Sequence, residues 1–299
     1  MTETPALSVI VVSFNQLPVL RQCLAAFQSQ FNRLNVEIIV IRDWKNGDDK
    51  QFKREFPQFS WIDAPAASTV PAMRKIALLQ CQGKVVGFTE DDCVVCEDWC
   101  AKVIEAHKAE NVAIGGSVEP SNFARSLDWA VFFCEYARFM NPFAGVVPSL
   151  PGNNITYKSD SLKKLLESDS SGGLYEVFVN GELQKSGEDL KADPSFSVRN
   201  INSWKLTNLV DVPFHHGRGF AAMRLDSKPL LKRLPFLGIA VVLPAVQMMR
   251  MGRQIMSKGR HAGKFVQCLP QVGLFYISWS IGEFVGYLMG PGESLKEWR

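Results

Sequence analysis

The chain has 299 residues, 46% of them hydrophobic and 21% charged, with 20 Phe and 7 Trp. That is enough apolar surface for one large domain or two ordinary ones, and it excludes a disordered chain, whose segments are poor in aromatics. The net charge is only +3, but Gly217 to Lys264 carries ten Lys/Arg against one acid, Asp226. A stretch of +9 on a remainder of −6 points to an anionic surface as partner.

Ala6 to Ser13 (ALSVIVVS) is a β-branched run of strand length, followed by a turn at Phe14-Asn15-Gln16. Leu17, Leu20, Leu24 and Phe27 then recur at helical spacing. Val36 to Ile41 reads as a second buried strand ending at Arg42-Asp43, and Trp61 to Asp63 as a short third. Val70 to Gln82 predicts a helix opening near Pro71, a favoured first-turn residue. Lys84 to Phe88 is a fourth strand that runs into Thr89-Glu90-Asp91-Asp92. Trp99 to His107 is helical and Val112 to Val118 strand-like. Strands alternating with helices imply right-handed βαβ units and a mainly parallel sheet. In such sheets ligands bind beyond the carboxyl ends of the strands. Asn15, Asp43 and the Glu90–Asp92 cluster all fall at that edge.

Beyond residue 120 the pattern is irregular. Arg125 to Phe143 is aromatic-rich and helical, Pro148 to Asn154 a loop, and Ser159 to Leu166 a short helix. Tyr175 to Lys185 predicts a helix that stops at Gly187, while Ser195–Val198 and Leu209–Val212 read as short strands. Leu234 to Met249 is uncharged but holds Pro235 and Pro244, and Phe265 to Gly292 has one charged residue, Glu283. A membrane span needs about 20 apolar residues, a length only the second run reaches. Lys232 and Arg233 precede the first run, and Arg250, Arg253, Lys258, Arg260 and Lys264 separate the two. Cytoplasm-facing segments beside membranes are enriched in such residues, and Trp279 and Tyr287 suit an interface. A membrane-embedded or membrane-lying hairpin is therefore expected over a soluble helical cap. Nucleic acid is not an expected partner, because apolar runs lie beside these charges. The polar, acidic start and the odd count of seven Cys suggest a reducing, cytoplasmic compartment with free thiols.

Three adjacent carboxylates, Glu90, Asp91 and Asp92, repel one another unless something cationic relieves them. Mg²⁺ commonly uses one or two carboxylates plus substrate phosphates; a solvated acidic turn would carry the same residues. Cys93-x-x-Cys96 followed by Cys100 lacks the second pair that a zinc site needs, so buried, inert thiols are expected.

Ser8-Val9-Ile10-Val11-Val12-Ser13-Phe14-Asn15 resembles the opening strand and turn of family 2 glycosyltransferases of the GT-A fold. Glu37 to Asp43 is similar to their second strand. Arg74, then Gly83 and Lys84 to Asp92, resembles their Arg-bearing helix and the strand ending in the metal-binding acidic motif. The resemblance implies a nucleotide-diphosphate-sugar donor. It puts a nucleobase contact on Asp43, nucleoside contacts on Ser13 and Asn15, and a donor-site role on Arg74. Asp92 would bind Mg²⁺ or Mn²⁺ against the diphosphate, with Asp91 alongside. Arg42 and Glu90 stand where the family usually has acid and Asp. Counting back from Gly187 aligns Tyr175-Glu176 with the family's base-bearing pair, which makes Glu176 the candidate base, with Glu188 and Asp189 as rivals. Gly152 to Tyr157 resembles the Gly-Asn segment on the acceptor side, which falls on Asn153 and Asn154. His215 and His216 resemble a His-containing segment after the last core strand, so that one could complete the metal shell or contact phosphate; an exposed loop pair would look alike. The segment Trp279 to Tyr287 is similar to the tails of bacterial membrane-associated relatives.

The expected architecture is thus α/β: a Rossmann-like, mixed and mainly parallel GT-A sheet flanked by helices, with a C-terminal helical membrane-associated region. A catalytic domain over 1–228 (donor half 1–120, acceptor half 121–228) would precede a tail over 229–299. The implied activity is inverting sugar transfer to a membrane-associated saccharide or polyprenyl-linked acceptor at the cytoplasmic face of the cell membrane. A nucleotidyltransferase using the same sheet edge, and a degenerate nucleotide-sugar-binding membrane scaffold, are the alternatives.

Overall fold

The computed structural model describes residues 4–31, 34–44, 49–167, 173–201, 204–224 and 233–297. They form two compact units, one of 1–121 and 139–201, the other of 122–138 and 202–299.

The first unit is built on strands β1 (Leu7–Ser13), β2 (Val36–Arg42), β3 (Ser60–Asp63), β4 (Val85–Glu90), β5 (Cys93–Val95), β6 (Ala113–Pro120), β7 (Gly145–Val146), β8 (Asn154–Lys158) and β9 (Leu190–Asn200). Their order in one sheet is β3-β2-β1-β4-β8-β6-β9-β5, with β7 paired to β9. The β3-β2-β1-β4 half is parallel, and β8 is antiparallel to both β4 and β6. Helices α1 (Leu17–Phe31), α2 (Asp49–Glu55), α3 (Val70–Leu78) and α4 (Trp99–Ala106) accompany this sheet.

Every residue of β1 is buried, as its unbroken apolar run requires. Thr69 caps α3 by accepting from Ala72 N, and Pro71 occupies the first turn. Trp99 is fully buried, edge-on to Phe27 and Phe196 at 5.9 Å from each, and packs close to Gly87, where a Cβ would lie 3.0 Å from its indole ring. The expected strand Ser195–Val198 is the end of the longer β9. Its pairing with β6 shifts from Asp193↔Gly116 to Ser197↔Ser117, so a bulge absorbs Pro194 without ending the strand. All seven cysteines are free thiols. Burial pushes Cys81 and Cys100 up to about 12, which keeps them protonated and unreactive.

The second unit is helical: α5 (Ser126–Tyr136), then, after α6 (Ser159–Glu167) and α7 (Glu176–Lys185) of the first unit, α8 (Asn208–Arg224), α9 (Leu234–Lys258), α10 (Ala262–Gln267) and α11 (Leu269–Met289). Leu209–Val212, expected as a strand, is instead the opening of α8. There Leu209 is buried with Val131 and Phe275, and this packing overrides the β-branched valines. α9 continues past Pro244 to Lys258, nine residues beyond the apolar run. The backbones of α8 and α11 touch: a Cβ on Gly217 would lie 2.2 Å from the Trp279 carbonyl oxygen, and one on Gly282 2.1 Å from that of Phe214. By length and composition, α9 and α11 could each cross a membrane.

The boundary expected at 228/229 lies outside the described residues. The division into units differs from it: α5 and α8 group with the tail helices rather than with the sheet. Aromatic packing gives the reason, because the Trp129 and His261 rings meet at 4.8 Å, tilted by 47°, and Phe133 meets Phe265 edge-on at 5.6 Å.

Candidate functional site

The β1 and β4 strand ends are tied together by Asp91. Its side chain is fully buried and accepts from Ser13 Oγ (2.7 Å), Phe14 N (3.0 Å), Asn15 N (2.9 Å) and Asn15 Nδ2 (2.7 Å). Burial raises its proton affinity, and the bonds from Asn15 and Ser13 work against that. Ser13, Asn15 and Asp91, expected at one crevice, are therefore one hydrogen-bonded unit. With both oxygens engaged, Asp91 shapes the turn rather than offering itself to a cation. Arg42, where an acid is usual, joins them: Nη1 donates to Ser13 Oγ at 2.6 Å and lies 3.7 Å from Asp91 Oδ2. Asp43 follows β2, and its Oδ2 accepts from Ala67 N at 3.0 Å, ordering the turn ahead of α3.

A second network centres on Arg74 of α3. The residue is 3% exposed, yet its guanidinium donates from Nη1 to Glu176 Oε2 (2.6 Å) and from Nη2 to Glu90 Oε1 (2.8 Å) and the Gly152 carbonyl (2.9 Å). Burial alone would lower its pKa; Glu176 and then Glu90 outweigh this and hold it above the usual value. Glu176 heads α7, where negative charge meets the helix N-terminus. Gly152 lets the ion pair pack against the backbone: a Cβ there would sit 2.9 Å from the Glu176 carboxyl, which would have to shift. Glu188 and Asp189 lie between the end of α7 and β9, away from its head. The Arg74–Glu176 pair brings the end of β4 and the head of α7 into one ionic cluster.

Asp92 is half-buried. Its Oδ2 accepts from Asn200 Nδ2 (3.0 Å) and its Oδ1 from the Cys93 thiol (3.3 Å). Burial, then Glu90 and Asp91, raise its proton affinity well above the carboxylate norm, and among the described residues no Lys or Arg pairs with it. Asn153 Nδ2 donates to the same Cys93 sulfur at 3.3 Å, and its Oδ1 is buried without a partner. An acid with raised charge cost and an orphaned hard oxygen beside it fit a divalent cation. Among the described residues no three His, Cys, Asp or Glu group as a metal cage, so such a cation would need ligands from a bound substrate as well.

Asn154 differs from its expected place on the acceptor side. Its Oδ1 accepts from Trp99 Nε1 (3.0 Å) and its Nδ2 donates to the Ser117 carbonyl (2.9 Å), so both ends of the amide serve the core. His215 and His216 lie within α8 in the helical unit, not on a loop. The His215 ring nitrogens face Ser294 Oγ (2.9 Å) and Asp211 Oδ1 (3.5 Å), and the His216 ring stands edge-on to Trp279 at 6.3 Å. Sequence reasoning passed over Asn200 and the pairing role of Glu90; Gly152 was noted as part of the Gly-Asn segment but not as a partner of Arg74.

A sequence model of glycosyl transferase family 2 matches residues 8–166, just over half the chain. No curated protein matches it. Among solved structures the chain is similar to the mannosyltransferase PcManGT from Pyrobaculum calidifontis, in complex with GDP-Man and Mn²⁺. The two are 14% identical with a TM-score of 0.53, over 100% of this chain and 89% of that one. At this identity the likeness speaks for the fold.

Proposed function

Because the chain belongs to glycosyl transferase family 2 and shares the GT-A fold, we propose that this glycosyltransferase takes a sugar from a nucleotide-diphosphate-sugar and inverts it at the anomeric carbon. The acceptor is a saccharide or polyprenyl-linked hydroxyl held at the cytoplasmic face of the cell membrane. The observation that carries this reading is Arg74, which holds Glu176 and Glu90 on one guanidinium and so brings a carboxylate that can receive a proton to the acidic strand end.

Each residue has a distinct task. Asp91 fixes the β1 turn so that Ser13 and Asn15 meet the nucleoside, with Asp43 beside the base. Asp92, helped by the oxygen of Asn153, holds Mg²⁺ or Mn²⁺. A bound cation supplies Lewis-acid neutralisation of the diphosphate. Glu176, oriented by Arg74, takes the acceptor proton as the acceptor oxygen bonds to the anomeric carbon and the sugar–phosphate bond breaks. The apolar helices α9 and α11, with the basic segment between them, support the membrane-held acceptor.

Glu176→Gln tests the reading. Turnover is expected to fall about 10²–10⁴-fold, while the thermal shift given by nucleotide-sugar with Mn²⁺ is retained. Unchanged turnover would remove Glu176 as base. Release of nucleoside diphosphate identifies sugar transfer; release of pyrophosphate would mean nucleotidyl transfer.

A further inference from the structure

We infer that α9 and α11 lie in the plane of an anionic membrane surface instead of crossing it. This rests on the membrane reading above and sharpens it. The large exposed residues of α11 are Leu274, Ile277, Ile281, Phe284 and Leu288, with Met289 at its last position. The first five repeat every three or four positions and form one wholly apolar stripe along the helix. The opposite face presents Ser278, Gly282, Glu283 and Gly286 to α8.

α8 runs beside α11 from Val210, whose carbonyl accepts from the Ser278 hydroxyl, to Ala221, which meets Gly286. It is bound there by backbone contact at Gly217 and Gly282. A spanning α11 would therefore carry α8 into hydrocarbon with Asp211, His215, Arg218 and Arg224. Charged residues at the centre of a bilayer are strongly disfavoured unless paired or facing water. An α11 lying flat keeps α8 on the water side and gives the stripe alone to lipid.

The flanking charges agree. At one end of the pair, Arg224 donates to Tyr287 Oη (2.7 Å) and Arg233 to the Tyr287 carbonyl (3.4 Å). Arg253, Lys258, Arg260 and Lys264 stand at the other end. A spanning hairpin would put cations on both sides of the membrane, against the usual one-sided bias. A flat pair sets both groups on one layer of anionic headgroups. α9 contributes its own apolar surface, since Leu234, Ile239, Val241, Val242 and Met249 are exposed along it.

The test uses the full chain in isolated membrane vesicles. It carries an N-terminal tag with one protease site and a second site inserted after Gly259, in the exposed turn between α9 and α10. The inference expects both sites to be cut from the same side; cutting of the Gly259 site only after detergent, while the tag is cut without it, overturns it and leaves membrane association standing. In parallel, purified protein is sedimented with phosphatidylcholine vesicles containing about one-third phosphatidylglycerol. Ile277→Glu with Ile281→Glu should lower binding about tenfold without lowering the melting temperature, since these residues are 50% and 53% exposed. Wild-type protein that stays in solution overturns both readings; if the double variant then turns a dimer into a monomer, a second copy of the chain covers the stripe. Release of nucleoside diphosphate, measured separately, reports whether sugar transfer stands in each case.

Discussion

Arg74 in the sheet unit and Glu283 in the helical unit are both buried charges, and their surroundings differ in kind. Arg74 is one cation facing two carboxylates, with two more acids following Glu90 in the chain. The network stays partly open, with side-chain exposures of 27% at Glu176 and 15% at Glu90. Glu283 accepts from Trp279 Nε1 and Tyr287 Oη, both at 2.8 Å, and its side chain is 4% exposed, with Arg224 as a distant cation at 3.8 Å. The open network has excess negative charge and a route to solvent, so a ligand can change its protonation or recruit a cation. The closed one has neutral donors and no room for exchange, so it can only fix helices against each other. Burial of charge is common to both; access and charge balance separate chemistry from architecture.

Breaking the open network should have the largest effect. Arg74→Met leaves Glu90 and Glu176 without their cation, and removing one partner of a buried pair costs about 3–5 kcal/mol. Urea unfolding should show that loss, and turnover should fall with it because Glu176 is no longer held. Adding Glu90→Gln to Arg74→Met should restore part of the stability, since it deletes one stranded charge, but not the turnover. A loss in Arg74→Met below about 1 kcal/mol would mean that the guanidinium is no more than a surface-type pair.

The strands at the site were legible because β1, β2 and β4 are largely buried and read as mostly apolar runs, each with a polar residue at its end. The ionic cluster was not: Arg74 and Glu176 are 102 positions apart, and no local pattern reports a pairing made by chain reversal through β8. Asn154 shows the opposite failure. Its Gly-Asn context reads as a loop facing substrate, while the structure spends both ends of the amide on Trp99 and Ser117. In the helical unit the error at Leu209–Val212 has the same origin, since β-branched spacing is a local signal and the glycine contacts between α8 and α11 are not.

Acid separates the two units by a smaller amount. His107, at the end of α4, is buried, and its Nε2 lies 2.7 Å from Thr156 Oγ1. That hydroxyl gives its proton to the Ile114 carbonyl (2.8 Å), so Nε2 must be the donor to it. Nδ1 is buried without a partner, so a second proton would have no acceptor. Burial, and then Lys158, lower the imidazole from 6.5 to about 4. The unfolded chain takes up this proton near pH 6.5 and the folded chain only near 4. The contribution is therefore intact above pH 6.5, declines as pH falls between those values, and is gone below. The size is about 3 kcal/mol. The stability difference between wild type and His107→Gln should shrink by that order across the window, measured by urea unfolding at each pH. A difference independent of pH would show that His107 titrates in the folded chain as it does in the unfolded one, and so is not held neutral by burial.

The smallest effect should come from the closed network, where Glu283→Gln changes the charge and keeps the shape. The amide oxygen can still accept from Trp279, but the amide nitrogen meets a Tyr287 hydroxyl that already accepts from Arg224. One charge-assisted bond is lost, worth about 2 kcal/mol. Turnover per folded molecule should stay within about twofold of wild type, because this carboxylate touches no group that handles the donor or the acceptor proton. The contrast with Glu176→Gln is the decisive measurement. The same isosteric exchange removes turnover at one buried-network carboxylate and spares it at the other. If both variants lose turnover alike, access does not distinguish the networks, and the α8–α11 packing would have to be part of the catalytic machinery.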